Sequence, residues 1–525
     1  MKIFLFVLFT TISLTLSVKA QDAVSSKTPA TKLDDLITRF DLFTDNEDSA
    51  LKCIPALEAF SEQFKKEPTN PYAALYLGRA FDHLASVGTG CYYPTRLFFP
   101  YADSALMFYK LADKLRPSIR EKKFQFTVHN MIGHLFGSRA LWYLREGKFD
   151  EARKEMIEGM NQGGFTPAQI EVCRLMLDLC DSNAIFFPAG DDDTFPVMYL
   201  QMVEGYRSDV SVLNESLLSM SWYMKMFLGT PHPGFTPVIA QMTKIQIDSL
   251  DSADYRETVP DRIYSDIDIH TKNRLHKELG IDIPDKAELC FPVYEKYSKG
   301  YYSYGTHKAI AAILLANKWK RPVYFGNGGL ESFLKCTHVA FRKDGLIDEL
   351  LPIDFDKAEH FKVNGEWVDK DNLKKVIFHD MKFEKFSQDQ KPSAAHLLLY
   401  HTLLLYLSSL DSKDAGVKRV CGIIKNIPLK YMEGNEEYII TLAQALYQKN
   451  MKSEARNEAM SVLPIFEKKI SDPRLTLQRG DIDYIYALLF AGECAKVKNF
   501  INSFDISENT KSSLFQELKL NYDCK

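Results

Sequence analysis

In the middle of the chain, short apolar runs alternate with segments whose apolar residues recur at helical spacing. Residues 184–187 form a four-residue apolar run that is too short for a helix, and 210–213 form a second run of the same kind. Between them, 194–204 carries apolar residues at helical spacing. A strand, a helix of about a dozen residues and a second strand predict a parallel βαβ unit.

The same pattern continues further along the chain. Residues 307–319 are predicted to form a helix, and 321–325 a third strand that ends at the glycine-rich turn 326–329. Asn364-Gly365, flanked by apolar residues, is a hairpin signal. We therefore predict a central α/β domain over 181–385 with a mainly parallel sheet.

Helical patterns flank this core on both sides. Small residues recur where paired helices would cross, as in tetratricopeptide repeats, at Gly78 and Ala105, at Ala140 and Ala152, and again within 438–459. An aromatic insertion at 87–101 splits the first of these pairs. The predicted fold class is thus mixed, with tetratricopeptide-like helical segments at 32–180 and 393–525 around the α/β core.

The N-terminus has the layout of a secretory signal. Residues 1–20 combine an early lysine, an apolar run and Val18-Lys19-Ala20 as a small-residue cleavage site, and 21–31 is a polar, flexible lead-in. The expected location of the mature protein is outside the cytoplasm, periplasmic or secreted. Cleavage would remove Lys2 and Lys19 and no acidic residue, leaving 63 basic and 69 acidic residues and a net charge of −6.

Charge, hydropathy and cysteine spacing each exclude a class of function. A mildly acidic chain without a basic stripe does not fit nucleic-acid binding. The longest later apolar stretch, 394–410, contains two histidines and is shorter than the roughly 20 residues of a membrane span, so we predict no span after signal cleavage. None of the nine cysteines forms a C-x-x-C pair. On one helix, Cys173 and Cys180 would lie about 10 Å apart, beyond disulfide reach, which predicts core thiols.

Two motifs resemble a known family. The first motif is the loop Gly190 to Pro196, which is followed by Tyr199 to Gln201 and Glu204-Gly205. The second motif is 315–325, which is followed by Leu330-Glu331 and 351–353. They resemble the soluble C-terminal region of a bacterial membrane family described as protein O-mannosyltransferase-like. The resemblance covers about Asp181 to the end. It implies a shared soluble module.

The sequence also departs from that family. Asp192 stands where the family has asparagine, and Met198 and Met202 replace a tryptophan and a glutamate. The family's membrane-spanning half, to which the transferase chemistry is attributed, is replaced here by helical repeats. The resemblance therefore does not by itself imply mannosyl transfer.

Candidate ligand-binding residues follow the three predicted parallel strands, because open α/β sheets bind ligands beyond the carboxyl ends of their strands. These residues are Asp191, Asp192, Asp193 and Thr194 after the first strand, Asn214 after the second and Asn327 after the third. The aspartates could hydrogen-bond a glycan, or Asp191 and Asp193 could hold a divalent cation. The alternative that we favour is structural, with these residues capping the following helix.

No complete catalytic signature is present. His129 and His134 are five residues apart, as are His396 and His401, so neither pair has zinc-helix spacing, and we predict no cofactor. Two hypotheses remain. The preferred one is an exported envelope protein that binds protein or peptide partners, with the α/β module as a docking or ligand site. The other is an enzyme or accessory subunit of O-mannosyl-type glycan metabolism that uses the acidic loop.

Overall fold

The structure, a computed structural model, covers most of the chain between the predicted lead-in and residue 504. It describes residues 32–43, 49–85, 99–117, 119–122, 126–188, 190–229, 235–250, 262–290, 294–295, 301–302, 305–326, 339–343, 345–354, 362–363, 366–388, 394–427, 436–469, 479–504, 511–512 and 516. The signal and lead-in predictions, most of the aromatic insertion, and Asn327 lie outside these residues.

The described residues fall into two compact units. The first contains those up to Lys343 together with Ile347–Trp367, and the second contains the remainder. The first unit begins with seven helices: α1 (Lys32–Phe43), α2 (Ser49–Lys66), α3 (Pro71–Ala85), α4 (Phe99–Leu115), α5 (Val128–Arg145), α6 (Phe149–Asn161) and α7 (Pro167–Leu179).

Small residues let these helices approach closely. A Cβ added to Gly78 on α3 would lie 2.8 Å from the ring of Tyr109 on α4, and one added to Gly159 on α6 would lie 2.9 Å from the Cβ of Phe136 on α5. The Tyr109 hydroxyl donates to Asp82 at 2.8 Å. Gly78 is a position where the sequence predicted a helix crossing, whereas Gly159 was not among the predicted positions. Their assignment to tetratricopeptide repeats stays a prediction.

A five-stranded sheet follows the helices. Its strands are β1 (Ile185–Phe187), β2 (Ser211–Val212), β7 (Val323–Gly326), β8 (Ala340–Lys343) and β9 (Ile347–Leu351), in the order β2-β1-β7-β9-β8. β1 lies between β2 and β7 and is parallel to both. The rings of Phe187 and Phe325, which are register partners, stack with centroids 5.0 Å apart.

The predicted fold class is confirmed, since helical segments flank a central α/β region. The three predicted strands are β1, β2 and β7, and the predicted crossover helix is α8 (Asp191–Glu204). The sheet itself is mixed, because β9 runs antiparallel to β7 and β8 antiparallel to β9. The sequence analysis expected a mainly parallel sheet and missed this β8–β9 pair.

The remaining elements of the first unit complete the α/β region. They are a 3₁₀ turn (Leu217–Ser219), α9 (Ser221–Phe227), α10 (Lys244–Asp248), β3 (Arg262–Asp266), α11 (Ile269–Leu279), β4 (Lys286–Cys290), β5 (Tyr294–Glu295), β6 (Tyr301–Tyr302), α12 (Gly305–Asn317), β10 (Lys362–Val363) and β11 (Glu366–Trp367). β10 and β11 pair antiparallel on either side of the predicted hairpin turn.

Arg321 connects the amino ends of the parallel strands through hydrogen bonds. Its guanidinium donates to the backbone oxygens of Asn183, Ala184 and Pro237 at 2.7 to 3.0 Å and to the Ser211 hydroxyl at 2.6 Å. The planar fork of arginine suits several acceptors at once, whereas a lysine ammonium is a single point charge. Arg321 therefore fixes β1 and β2 relative to the segment that leads into β7.

The second unit is helical. Its elements are α13 (Lys370–Lys375), a π-helical turn (Val376–Asp380), α14 (Phe383–Gln388), α15 (Ala394–Ser409), α16 (Ala415–Lys425), α17 (Glu436–Gln448), α18 (Lys452–Lys469), α19 (Arg479–Ala491) and α20 (Cys494–Asn502). The apolar stretch 394–410, for which the sequence predicted no membrane span, forms α15. Its His396 is fully buried and bonds the backbone oxygen of Phe386 at 3.0 Å, which is a packing role.

None of the helices within the described ranges has the length and apolar character of a membrane span.

Candidate functional site

Two of the three predicted strand ends can be located at the sheet edge. Because β1 and β2 are parallel neighbours, the acidic loop after β1 and Asn214 after β2 lie at the same edge. The Asn214 side-chain amide donates to the Thr194 hydroxyl at 2.7 Å, and both residues are buried. The structure thus brings these two predicted residues together, while Asn327 lies outside the described residues.

The aspartates occupy the first turn of α8. The helix begins at Asp191, and its N-cap is Gly190, where no side chain caps the helix. The capping interpretation is therefore wrong for Asp191 and Asp192. Their negative charges still suit the positive end of the helix dipole, but their side chains are directed to other helices.

Asp191 pairs with a histidine on α5. His134 Nδ1 lies 2.9 Å from Asp191 Oδ2, and the two side chains are 32% and 39% exposed. Burial disfavours the charged imidazolium, but the hydrogen bond and charge of Asp191, with the charges of Asp82 and Asp192, outweigh it and raise the pKa of His134 to about 9. The pair is consequently an ion pair at neutral pH, and the imidazolium cannot serve as a general base.

Asp192 is held by amide side chains from two helices. Asn130 on α5 donates through Nδ2 to its Oδ1. Gln169 on α7 donates through Nε2 to its Oδ1 at 3.4 Å and to its backbone oxygen at 2.9 Å. Burial raises the pKa of Asp192, and the nearby Asp191 charge adds to this, while both amides and His134 oppose it. Of these neighbours that influence the pKa of Asp192, only His134 carries a positive charge.

A thiol and an aromatic ring complete the contact of the turn with the helices. Cys173 on α7 lies with its sulfur 3.9 and 3.8 Å from the backbone oxygens of Asp192 and Asp193, and burial raises its pKa well above the ordinary value. The ring of Phe195 fits against Gly137 on α5, where an added Cβ would lie 2.4 Å from it. Cys173 and Cys180 are both buried thiols, so the prediction of core thiols is confirmed.

Sequence reasoning missed the partners of the acidic loop. In the sequence, His134 stands out only by its spacing from His129, and no pattern indicates Asn130 or Gln169. His134 is 57 residues from Asp191 along the chain, so no local pattern could have paired them. The sequence gives only an indirect indication of this contact. It is the glycine Gly137 on α5, at the point where the Phe195 ring packs closely against that helix.

Glu215 is a second residue that the sequence analysis missed. It follows Asn214 at the carboxyl end of β2, and its buried Oε2 has no hydrogen-bond partner among the described residues. Burial raises its pKa to about 7. A carboxyl group in this state changes its charge near neutral pH.

The arrangement does not form a metal centre within the described residues, where no group of three histidine, cysteine or acidic side chains is placed to hold an ion. Asp191 and Asp192 instead meet imidazole and amide donors.

The fold and this edge define a helical protein with an embedded α/β module whose acidic turn is bound to the flanking helices. Residues 170–278 match the family model described as TMEM260-associated domain 2. This range begins within α7 and includes β1, the acidic turn, β2 and Glu215. Comparisons with curated proteins and with solved structures gave no match.

Proposed function

We propose that the protein is an exported binding or scaffold protein of the cell envelope. In this proposal the helical segments, as tetratricopeptide-like repeats, bind protein or peptide partners, and the α/β module is a docking or ligand site. The match at 170–278 supports a module shared with O-mannosyltransferase-like proteins.

One observation carries the choice of binding over catalysis. The carboxylates of Asp191 and Asp192 are engaged by His134, Asn130 and Gln169 on the preceding helices. Carboxylates of a metal-dependent or acid/base enzyme need to face substrate in a pocket. Here they attach the α/β module to the helical segment, which suits a rigid scaffold with a defined relative position of both parts.

The test is photo-crosslinking in cells that express the whole chain. A crosslinker replaces Met107, an exposed apolar residue on α4, and in a matched variant Tyr264, which is equally exposed on β3. We expect a reproducible protein adduct from the Met107 position and none, or a different one, from Tyr264. Absence of any protein adduct from the helical segment would overturn the proposal.

The second candidate is an enzyme or accessory subunit of O-mannosyl-type glycan metabolism, favoured by the family match. It predicts that a strain lacking the protein loses envelope glycoprotein staining. It further predicts that Asp191→Asn, which keeps a hydrogen-bond acceptor for His134, fails to restore the staining. Full restoration by this variant would contradict a catalytic role for Asp191.

A further inference from the structure

Glu215 stands on a rigid turn at the carboxyl end of β2. The Asn214 side chain accepts the backbone N–H of Leu217 at 3.0 Å, and its backbone oxygen accepts that of Leu218 at 3.2 Å. The backbone N–H of Asn214 donates to the buried Tyr223 hydroxyl at 3.0 Å. With its neighbour fixed by these bonds, Glu215 has a defined place at the edge where α/β sheets bind ligands.

The same turn is connected to the acidic loop. Asn214 bonds Thr194, which lies three residues after Asp191 and therefore on the same face of α8. Glu215 therefore directly follows Asn214, the residue that hydrogen-bonds the helix carrying Asp191 and Asp192.

An unpaired buried carboxyl oxygen requires an explanation. Buried polar atoms in proteins are nearly always hydrogen-bonded, and those that are not tend to mark a bound group or a functional role. Glu215 Oε2 is buried without a donor among the described residues, and the pKa of about 7 shows that the charged form is disfavoured. The side chain therefore costs stability in the free protein, as ligand-contacting residues often do.

We infer that Glu215 is the ligand-contacting carboxylate of a binding site at this sheet edge, and that its ligand presents a positively charged nitrogen. A cation offsets the cost of a partly buried carboxylate with an unpaired oxygen through a charge-assisted hydrogen bond. An organic cation fits better than a metal ion, because one carboxylate without further ligands does not make a metal site. This inference rests on the proposed function and specifies its docking site, which would take a lysine-like side chain of a partner.

The first experiment measures the stability of Glu215→Gln at pH 8, beside Glu146→Gln as an exposed control in the same unit. Removal of this partly buried, unpaired charge should raise the Tm by about 2–4 °C, while the exposed control leaves the Tm unchanged. A lowered Tm for Glu215→Gln would overturn the inference, since it would show that the chain itself supplies a partner for the carboxylate.

The second experiment measures binding of two matched probes by saturation-transfer NMR. N-acetyl-lysine methylamide should bind the wild-type protein at least tenfold more tightly than Glu215→Gln, and N-acetyl-norleucine methylamide should bind neither. Equal binding of the lysine probe to both proteins would overturn the inference. So would Ca²⁺ or Mg²⁺ raising the Tm of wild type but not of the variant.

These outcomes are separable from those of the proposed function. If the crosslinked partner is captured equally by wild type and Glu215→Gln, the scaffold proposal stands and Glu215 is not its docking residue. If the lysine probe requires Glu215 but no protein adduct forms in cells, the site stands and the scaffold proposal falls.

Discussion

Replacement of His134 by glutamine tests the link between the helical segment and the acidic turn. The variant keeps a hydrogen-bond donor for Asp191 but loses the positive charge. The pKa of His134 is about 9 in the folded protein and 6.5 in the reference state. At about 1.4 kcal/mol per pKa unit this difference sets an upper bound of roughly 3.5 kcal/mol. Because both side chains are about one-third exposed, solvent screening reduces the expected loss to about 1–2 kcal/mol.

The pH dependence gives this prediction its sign. A histidine whose folded pKa is raised contributes its full stabilisation below the unfolded pKa and loses it as the pH rises through the folded pKa. The wild-type free energy of unfolding should therefore exceed that of His134→Gln most clearly at pH 6 and below. The two should converge between pH 6.5 and about 9.

The assay is urea unfolding followed by tryptophan fluorescence from pH 5.5 to 9.5. All four tryptophans of the chain belong to the first unit, so the signal reports the unit that contains His134. His270→Gln, at an exposed histidine of the same unit, is the control and should follow the wild type. Parallel pH profiles for wild type and His134→Gln would refute the reasoning, because they would show that the pair does not couple to folding.

Three further predictions use the same fluorescence measurement. Gly137→Ala should destabilise the first unit by about 1–3 kcal/mol, because its Cβ would lie 2.4 Å from the Phe195 ring; unchanged stability would mean that this packing is loose. Asp192→Asn should be as stable as wild type or more stable at pH 7 to 8, because burial raises the carboxyl pKa and the amide oxygen keeps both hydrogen bonds. A clear loss of stability would show that the negative charge of Asp192 is itself needed. Arg321→Lys should cost about 2–4 kcal/mol, since a lysine cannot reach four acceptors; a loss under 1 kcal/mol would argue against its role.

The central strands and the crossover helix could be predicted because apolar periodicity fixes which residues must be buried together. β1, β2 and β7 appear where their apolar runs predict them, and Gly78 lies at a close helix crossing as predicted. The β8–β9 pair was missed although Asp344-Gly345, a hairpin signal, stands between the two strands. The sequence therefore carries a signal for this antiparallel pair as well.

The site could be predicted only in part. The rule about carboxyl ends of parallel strands places Thr194 and Asn214 at one edge, and their side chains are in contact there. The partners of the aspartates come from helices tens of residues earlier in the chain, so no local spacing indicates them. Glu215 was missed for a different reason, because burial of one oxygen atom depends on packing and leaves no mark in the sequence.

The contact of Cys173 with the acidic turn gives the chain a built-in reporter of local opening. Its sulfur lies against the backbone oxygens of Asp192 and Asp193, and the thiol is buried and kept protonated by its surroundings. A thiol reagent can modify such a group only after α7 and the turn separate. The rate of Cys173 modification, followed by mass spectrometry, thus measures how often the α/β module releases its first turn from the helices.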